Sequence, residues 1–326
     1  MPSFSCTVED TIPSGLRLDR YAAEYLKLLS RSQIKARKLE ARLNGRAVKI
    51  SRPLCGGERL DLSWAEAEAA FLVPENLPLD VIYEDSRVIV VNKAQGMVVH
   101  PGAGNRQGTL ANALLYRMLE KKNANNREAP DSVFGKTLGE TAGQRPGIVH
   151  RLDKDTSGLI IAALDDKSLA FLADQFKART VRKSYAALVR GCPKESAGRI
   201  DKKIVRSRRD RKTFTVSDNE GRASLTYFKV IRTWGDYSLL LLRPKTGRTH
   251  QIRVHLKYLG NPIIGDPLYG QGSSQANARF KKAPLMLHAK SLSLVLPGRS
   301  EPQMFRTALP RRFEELIKIF NASFRR

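Results

Sequence analysis

The sequence predicts an α+β fold in which a small N-terminal module precedes a larger domain. Strand patterns follow one another directly, as in the two apolar runs between Ser224 and Arg243. A doubly wound parallel sheet would instead alternate each strand with a helix. The chain has 326 residues, which exceeds the roughly 100 to 200 residues of a typical domain. We therefore expect one main domain and at least one smaller module.

The small module is predicted to span residues 1–64. Two segments carry apolar residues at helical spacing, LDRYAAEYLK and SQIKARKLEARL. Asn44-Gly45 is typical of a turn, and GERLDLSW alternates apolar and polar residues as a strand does. On the second helix, three basic residues would share one face: Lys35, Lys38 and Arg42. Three apolar residues would face the core: Ile34, Leu39 and Leu43.

A linker is predicted over residues 65–79, where small and acidic residues are followed by two prolines. The second domain then spans residues 80–326. Its strands are indicated by RVIVVNK, GLIIAAL, KSYAALVRG, SLTYFKVIRTW and YSLLLLR. Its helices are indicated by LANALLYRMLE, DDKSLAFLADQFKAR and RRFEELIKIF.

Two polar segments of this domain are expected to be less ordered. Residues 121–144 are rich in Asn, Gly and charged residues and are longer than most connections. Residues 202–212 are rich in Arg and Lys, which is the composition of a loop that contacts phosphates. A solvated surface loop would have the same composition. The charge of the whole chain favours the loop that contacts phosphates.

The charge balance indicates a polyanionic partner. The chain carries 57 Lys and Arg against 32 Asp and Glu, a formal net charge of +25. No apolar stretch approaches the ~18 residues of a membrane span, so nucleic acid is favoured over a membrane surface. The first residues lack a basic region followed by an apolar one, and we expect a cytoplasmic protein. The 3 cysteines and 5 histidines show no metal-ligand spacing, and no metal is expected.

A polar turn within GIVHRLDKDTSGLIIAAL presents Asp153 and Asp155 between apolar segments. Taken alone, this pattern is more typical of aspartates that bond the amides of their own turn. His150 and Ser157 are too close in sequence, without a nucleophile elbow, for a serine triad, and we expect them to shape the loop.

A second dense segment, residues 243–270, is predicted to form a turn followed by a helix that stops at Gly260. Arg253 lies on this helix, off the face formed by its apolar residues. With Lys245 and Arg248 of the preceding loop, it could keep a nearby carboxylate ionised. An ordinary phosphate-binding or surface arginine would have the same pattern.

Several segments, in order along the chain, resemble the motifs of the RluA-type pseudouridine synthases. HRLDKDTSG is similar to the HRLD-x-x-TSG signature without a substitution, and KSYAALVRG resembles the segment with the family's active-site tyrosine. The segments from YEDSRVIVVNK to GTLANALL and from TGRTHQIRVHL to GDPLYG resemble two further motifs. The resemblance covers nearly all of residues 15–320.

The resemblance implies a catalytic domain with a mixed, mainly antiparallel sheet, an RNA substrate and no cofactor. It implies that Asp153 is the catalytic nucleophile, that Tyr185 stacks on the target base, and that Arg253 pairs with Asp153. Arg151 would hold RNA from which the target nucleotide has been flipped out. Attack on the sugar, attack on the base and removal of a proton all stay open as roles for Asp153.

The N-terminal module resembles the alpha-L RNA-binding motif of a ribosomal protein, through Arg31-Ser32-Gln33-Ile34-Lys35, Asn44-Gly45 and Gly57-Glu58-Arg59-Leu60. RNA binding is therefore expected at residues from the module, the basic segment and the loop before Arg253. They are Arg31, Lys35, Lys38, Arg42, Arg208, Arg209, Arg211, Lys245 and Arg248.

Within the family, VVHPGAGN, GTLANALL and the module look most like the D-type synthases of large-subunit ribosomal RNA. The expected partner is that RNA or a pre-ribosomal particle, and the expected state is a monomer. Three alternatives stay open: a synthase acting on transfer RNA, an RNA-binding assembly factor without catalysis, and a glycosidase that uses Asp153 with Asp155.

Overall fold

The computed structural model describes residues 1–66, 72–102, 104–125, 147–270 and 283–324. The chain divides into two compact units, Met1–Ala70 and Phe71–Arg326. Most of the segment predicted to be less ordered at 121–144 lies outside the described residues.

The first unit contains a four-stranded antiparallel sheet in the order β1-β4-β2-β3. Apolar side chains such as Leu18, Leu60 and Leu62 form its core. Its elements in chain order are β1 (Ser3–Thr7), α1 (Leu18–Arg20, continued by a π-helical turn over Tyr21–Tyr25), α2 (Arg31–Ala36), β2 (Glu40–Leu43), β3 (Arg46–Val48) and β4 (Arg59–Ser63).

The second helix is shorter than predicted. It begins after Ser30, which forms a capping box with Gln33, and it ends at Ala36. Lys38 then adopts a left-handed backbone with φ 48°, and residues 40–43 form β2 against β4. The prediction that Lys35, Lys38 and Arg42 share one helix face is therefore wrong.

The alternating burial of residues 39–43 explains why this segment forms a strand and not the end of the predicted helix. Leu39, Ala41 and Leu43 are buried, whereas Glu40 and Arg42 are exposed, which is the period of two expected for a strand. The burial of Ile34, Leu39 and Leu43 is confirmed. The turn is also confirmed, because Asn44 and Gly45 have φ values of 48° and 80° between β2 and β3.

The second unit is built on a ten-stranded sheet, ordered β10-β9-β11-β12-β8-β13-β7-β6-β5, with β14 paired to β13. Among the described residues every pairing is antiparallel except β13 with β7, which confirms the α+β fold with a mixed, mainly antiparallel sheet. Its strands are β5 (Val81–Glu84), β6 (Val88–Lys93), β7 (Ser157–Ala163), β8 (Arg182–Arg190), β9 (Ala197–Arg206), β10 (Phe214–Ser217), β11 (Arg222–Trp234), β12 (Tyr237–Pro244), β13 (Leu287–Val295) and β14 (Pro302–Arg306). Its helices are α3 (Leu110–Asn125), α4 (Asp166–Ala178), α5 (Gln251–Tyr258) and α6 (Arg311–Ser323).

The five predicted strands and the helices of this unit are confirmed, while β5, β9, β10, β13 and β14 were not predicted. The basic segment 202–212 is only partly a loop, because residues up to Arg206 continue β9. β9 pairs with β10 as a hairpin, and residues 207–213 form its tip.

Residues 72–79, which composition assigns to the linker, lie against the second unit. Leu72 and Leu79 pack on a cluster that includes α3 and the sheet. Glu75 accepts hydrogen bonds from the backbone N–H of Gly108 at 3.1 Å. This segment therefore belongs to the second unit in the structure.

The one parallel pairing among the described strands of this sheet brings β7 and β13 close together. Gly158 of β7 lies opposite Ala289 of β13 and has φ +115°, which side chains rarely adopt. A Cβ atom at Gly158 would lie 2.3 Å from the Ala289 carbonyl oxygen. Only glycine therefore fits at this position, directly after the segment that contains Asp153.

Replacing Gly158 with alanine is expected to lower the free energy of unfolding by roughly 2 to 4 kcal/mol, because steric overlap adds to backbone strain. Gly96→Ala is the matched control, since Gly96 also has a positive φ of 84° but nothing within 4 Å of its Cβ position. Calorimetric unfolding of both variants measures the difference. Equal destabilisation would contradict the close approach of the two strands.

Candidate active site

A cavity of about 480 Å³ lies beside the central strands of the second unit. Its walls come from the segment before β7, the start of β8, the loop after β12 and the first half of α5. It brings together six residues singled out in the sequence: Arg151, Asp153, Tyr185, Lys245, Arg248 and Arg253. Asp155 is not among the residues that line it, so the two carboxylates do not face one another across this cavity.

Asp153 is carried by a tight turn whose backbone is fixed by hydrogen bonds. The Asp153 carbonyl accepts a hydrogen bond from the Thr156 N–H at 3.1 Å, and the Lys154 carbonyl accepts one from the Gly96 N–H at 2.9 Å. The side chain of Asp153 is 22% exposed. The carboxylate is therefore fixed by its backbone yet accessible from the cavity.

Lys93, which the sequence analysis did not single out, supports the same turn. Its ammonium is buried and donates to the carbonyls of Ala94 (2.9 Å), Met97 (2.8 Å) and Lys154 (3.1 Å). Burial lowers the pKa of Lys93 to about 8, partly opposed by the charges of Asp155 and Asp153. In sequence Lys93 is only the last residue of a strand, so no pattern pointed to it.

Arg253 links Asp153 to a second carboxylate. Its Nη1 lies 3.4 Å from Asp153 Oδ2. Its Nε and Nη2 donate to Asp266 Oδ2 at 2.7 Å and Oδ1 at 2.8 Å. The side chains of Arg253 and Asp266 are 5% and 0% exposed, so this bidentate pair is buried. Asp153 is the more accessible of the two carboxylates that Arg253 contacts.

Asp266 is the second residue that sequence reasoning missed. Its Oδ1 also accepts from the N–H groups of Leu268 at 2.9 Å and Tyr269 at 3.0 Å. The segment Gly-Asp-Pro has the composition of a turn. A carboxylate in such a segment is expected to bond its own turn, and the sequence did not indicate its pairing with Arg253. Both charges of the pair are thus satisfied by hydrogen bonds, as buried ions require.

Tyr185 stands on β8, in the same cavity wall as Asp153. Burial, together with the charge of Asp153, raises the pKa of the Tyr185 phenol above its usual value. The phenol is therefore protonated at neutral pH, and it can offer a ring face and an O–H donor but not a base.

His250, which lines the cavity, and Tyr269 lie next to Arg253. The guanidinium of Arg253 lies 5.1 Å from the centroid of the Tyr269 ring. The Tyr269 hydroxyl accepts from the Phe214 N–H at 2.9 Å and lies 2.8 Å from His250 Nδ1. Burial lowers the pKa of His250, which favours a neutral imidazole that shares a hydrogen bond with the tyrosine hydroxyl.

His150 and Ser157 do not form a nucleophilic pair. His150 Nε2 accepts from the Ile161 N–H at 3.1 Å, and its ring stacks on Phe176 at 4.6 Å. Ser157 Oγ lies 2.9 Å from His288 Nδ1 and accepts from Arg312 Nη2 at 2.5 Å. Both side chains therefore hold the turn in place.

The remaining residues expected to bind RNA are not among those that line this cavity. Lys35, Lys38 and Arg42 are exposed on the first unit, where the side chain of Arg31 lies outside the described residues. Arg208, Arg209 and Arg211 are exposed at the tip of the β9–β10 hairpin, and Arg208 lies 3.3 Å from Glu220. The predicted RNA-binding residues thus belong to three parts of the chain: the first unit, the hairpin tip and the cavity wall.

Two further observations concern other classes of site. Across the described ranges, His, Cys, Asp and Glu do not gather in a group of three or more that could hold a metal ion. No described helix combines the length and the apolar character needed to cross a membrane.

The chain belongs to the RNA pseudouridylate synthase family, which matches residues 87–258. The catalytic unit is thus that of an RNA pseudouridine synthase, an isomerase, which confirms the family resemblance and removes the glycosidase alternative.

Several known proteins are similar to this chain over most of its length. One is the ribosomal large subunit pseudouridine synthase D of Borreliella burgdorferi, 40% identical over 316 residues, covering 95% of this chain and 91% of the relative. Another is the enzyme of the same name from Zymomonas mobilis, 34% identical over the full length of both chains. Among solved structures, human RNA pseudouridylate synthase domain containing 4 is 26% identical with a TM-score of 0.56, covering 74% of this chain and 92% of the other.

The half-buried His150 is expected to make the fold sensitive to acid. Burial, assisted by the charge of Lys183, lowers the pKa of His150 to about 3, whereas an unfolded histidine has a pKa of about 6.5. Below that value the unfolded chain binds the extra proton, so the free energy of unfolding falls as the pH drops. His150→Gln keeps a possible acceptor for the Ile161 N–H and removes this titration. Between pH 7 and 5 the free energy of unfolding, measured with urea, should fall by about 1 to 2 kcal/mol less in the variant than in the wild type.

The buried His255 and His288, whose pKa values burial lowers to about 4, should preserve part of the acid sensitivity in that variant. An unchanged pH dependence in His150→Gln would mean that His150 takes up its proton in the folded state.

Proposed function

We propose that this protein isomerises specific uridines of large-subunit ribosomal RNA to pseudouridine, with Asp153 as the nucleophile. The observation that carries the proposal is the position of Asp153. Its carboxylate reaches the cavity beside the protonated Tyr185 and is held by the buried Arg253–Asp266 pair. A carboxylate held in this way and open to the cavity can act as a nucleophile.

The reaction breaks the bond between the anomeric carbon and the uracil nitrogen, rotates the base and rejoins it through carbon five. Nothing is oxidised or lost, so the proposal needs no cofactor. A paired base cannot rotate in place, so the target nucleotide is flipped into the cavity at a cost of a few kcal/mol. Stacking on the Tyr185 ring, an interaction of roughly 1 to 3 kcal/mol, would offset part of that cost. Arg151, an exposed residue of the cavity wall, would hold the RNA that the nucleotide leaves.

The choice of RNA is supported by the relatives named for the large ribosomal subunit and by the net charge of +25. We propose that the first unit is an RNA-binding domain, which brings the second unit, the catalytic domain, to a structured RNA. A monomeric enzyme in the cytoplasm is consistent with this role. Transfer RNA as substrate and an assembly role without catalysis are the alternatives that the experiment must separate.

Asp153→Asn tests the nucleophile, because the amide keeps the volume of the side chain but cannot act as a carboxylate. We expect no pseudouridine from this variant and an RNA affinity within a few fold of wild type. The measurement is pseudouridine mapping, by carbodiimide adducts and primer extension, on RNA from cells that lack the gene and are complemented with either form. Near-normal turnover by Asp153→Asn would exclude the nucleophile assignment.

The same mapping identifies the substrate. Large-subunit uridines that are modified only in cells with the wild-type gene would support the proposed target. Modification lost only from transfer RNA would favour the first alternative. No lost site in either RNA, with a growth defect rescued by Asp153→Asn, would favour the assembly role.

The hairpin arginines should contribute to affinity by binding phosphates. Log affinity should fall with log salt concentration, and the slope should become shallower by about 0.9 for each duplex phosphate that the variant no longer neutralises. The test replaces three residues with glutamine: Arg208, Arg209 and Arg211. The matched control replaces three other exposed arginines: Arg299, Arg306 and Arg311. Equal slopes for the two triple variants in filter-binding titrations would contradict a specific role of the hairpin.

A further inference from the structure

Lys183 is a cation in the wall of the same cavity that the proposed mechanism does not use. It lies on β8 two residues before Tyr185, so the two side chains point to the same face of the sheet, and both line the cavity. Its ammonium lies 5.6 Å from the centroid of the Phe176 ring. Lys183 therefore faces the space in which a nucleotide stacked on Tyr185 would lie.

This ammonium has no anionic partner in the part of the chain that the structure describes. Burial is the sole cause of the shift in the Lys183 pKa, and no carboxylate of the described residues opposes it. Burial lowers the pKa of Lys183, which reflects a charge that has lost water without gaining a partner. A half-buried ammonium with three unused donors is costly to the folded protein.

Gly247 leaves this ammonium open to the cavity. The Cβ position of Gly247 lies 3.9 Å from Lys183 Nζ, and no other heavy atom lies within 4 Å of that position. The backbone at Gly247 has no left-handed φ, so an alanine would fit there without strain. Its methyl group would cover the ammonium from the cavity side.

The separation between Lys183 and Tyr185 suits a nucleotide. Two positions on one strand are roughly 6.6 Å apart, a distance comparable to the ribose that separates a base from its phosphate. A phosphate offers several charged oxygens to a compact ammonium. The other charged groups of the wall include the cations Arg151, Arg179 and Lys245, which also favour an anion.

We propose that Lys183, left uncovered by Gly247, binds a phosphate group adjacent to the uridine that is being isomerised. The proposal rests on the function proposed above. It assigns to Lys183 the placing of the nucleotide backbone, while Tyr185 places the base.

The test compares Lys183→Met, Lys183→Arg and Gly247→Ala on a synthetic RNA hairpin around the uridine identified by mapping, ligated into a longer fragment if the hairpin alone is not converted. Loss of a charged hydrogen bond should lower kcat/KM roughly 10- to 100-fold in Lys183→Met. Lys183→Arg should recover most of it, and Gly247→Ala should fall between. Lys167→Met is the control, since Lys167 is an exposed lysine of α4 outside the cavity wall.

A neutral methylphosphonate placed on either side of the target uridine locates the phosphate that Lys183 binds. At one of the two positions, the wild-type enzyme should lose activity by a factor similar to that of Lys183→Met. Lys183→Met should lose almost nothing more at that position. Independent, multiplicative losses at both positions would overturn the phosphate assignment and would indicate that Lys183 contacts the base.

Stability separates binding from a structural role. Because the ammonium is desolvated without a partner, Lys183→Met should unfold at the same temperature as the wild type or higher. A lower unfolding temperature with lost activity would overturn the proposal in favour of packing. Full activity of Lys183→Met on the hairpin would also overturn it, while leaving the isomerase function intact. An inactive wild type would instead count against the proposed function.

Discussion

The geometry of the site depends on one buried guanidinium shared unequally by two carboxylates. Arg253 uses two donors for Asp266, which is fully buried, and its remaining Nη1 lies 3.4 Å from Asp153. A buried ion pair is stable only when its other lone pairs are satisfied, and the N–H groups of Leu268 and Tyr269 do this for Asp266. The contact to Asp153 is longer than a strong charged hydrogen bond, so Asp153 is held in place while its oxygens stay available to a substrate.

The turn that carries Asp153 is held by contacts from distant parts of the chain. Lys93 binds the carbonyl of Lys154, and Ser157 at the other end of the turn accepts from Arg312 of α6. The parallel pairing of β7 with β13 sets Ser157 opposite His288. A short polar turn has little stability of its own, so these long-range contacts are what give it one conformation.

The sequence predicts an element correctly where its apolar residues follow the period of one structure only. The prediction failed where the same pattern suits both a helix and a strand. Leu39 and Leu43 are four apart, which suits a helix, but Ala41 between them also suits a strand, and pairing with β4 decides the outcome. The family's motifs singled out Asp153 and Arg253 as candidates, whereas no motif pointed to Asp266 or Lys93. Their roles arise from partners 13 and 61 residues away in the chain, and no local pattern contains that information.

A buried and a half-buried lysine of the catalytic unit show how a structural cation differs from one that binds a ligand. Burial lowers the pKa of both Lys93 and Lys183, so both have lost water. Lys93 has three donors and three carbonyl acceptors, so it is saturated and can only hold the turn. Lys183 has no such acceptor among the described residues, and an anion that enters the cavity would offset the cost of its burial. Both lysines are desolvated, so desolvation does not tell the two roles apart. The difference lies in their hydrogen-bond acceptors, which Lys93 has and Lys183 lacks among the described residues.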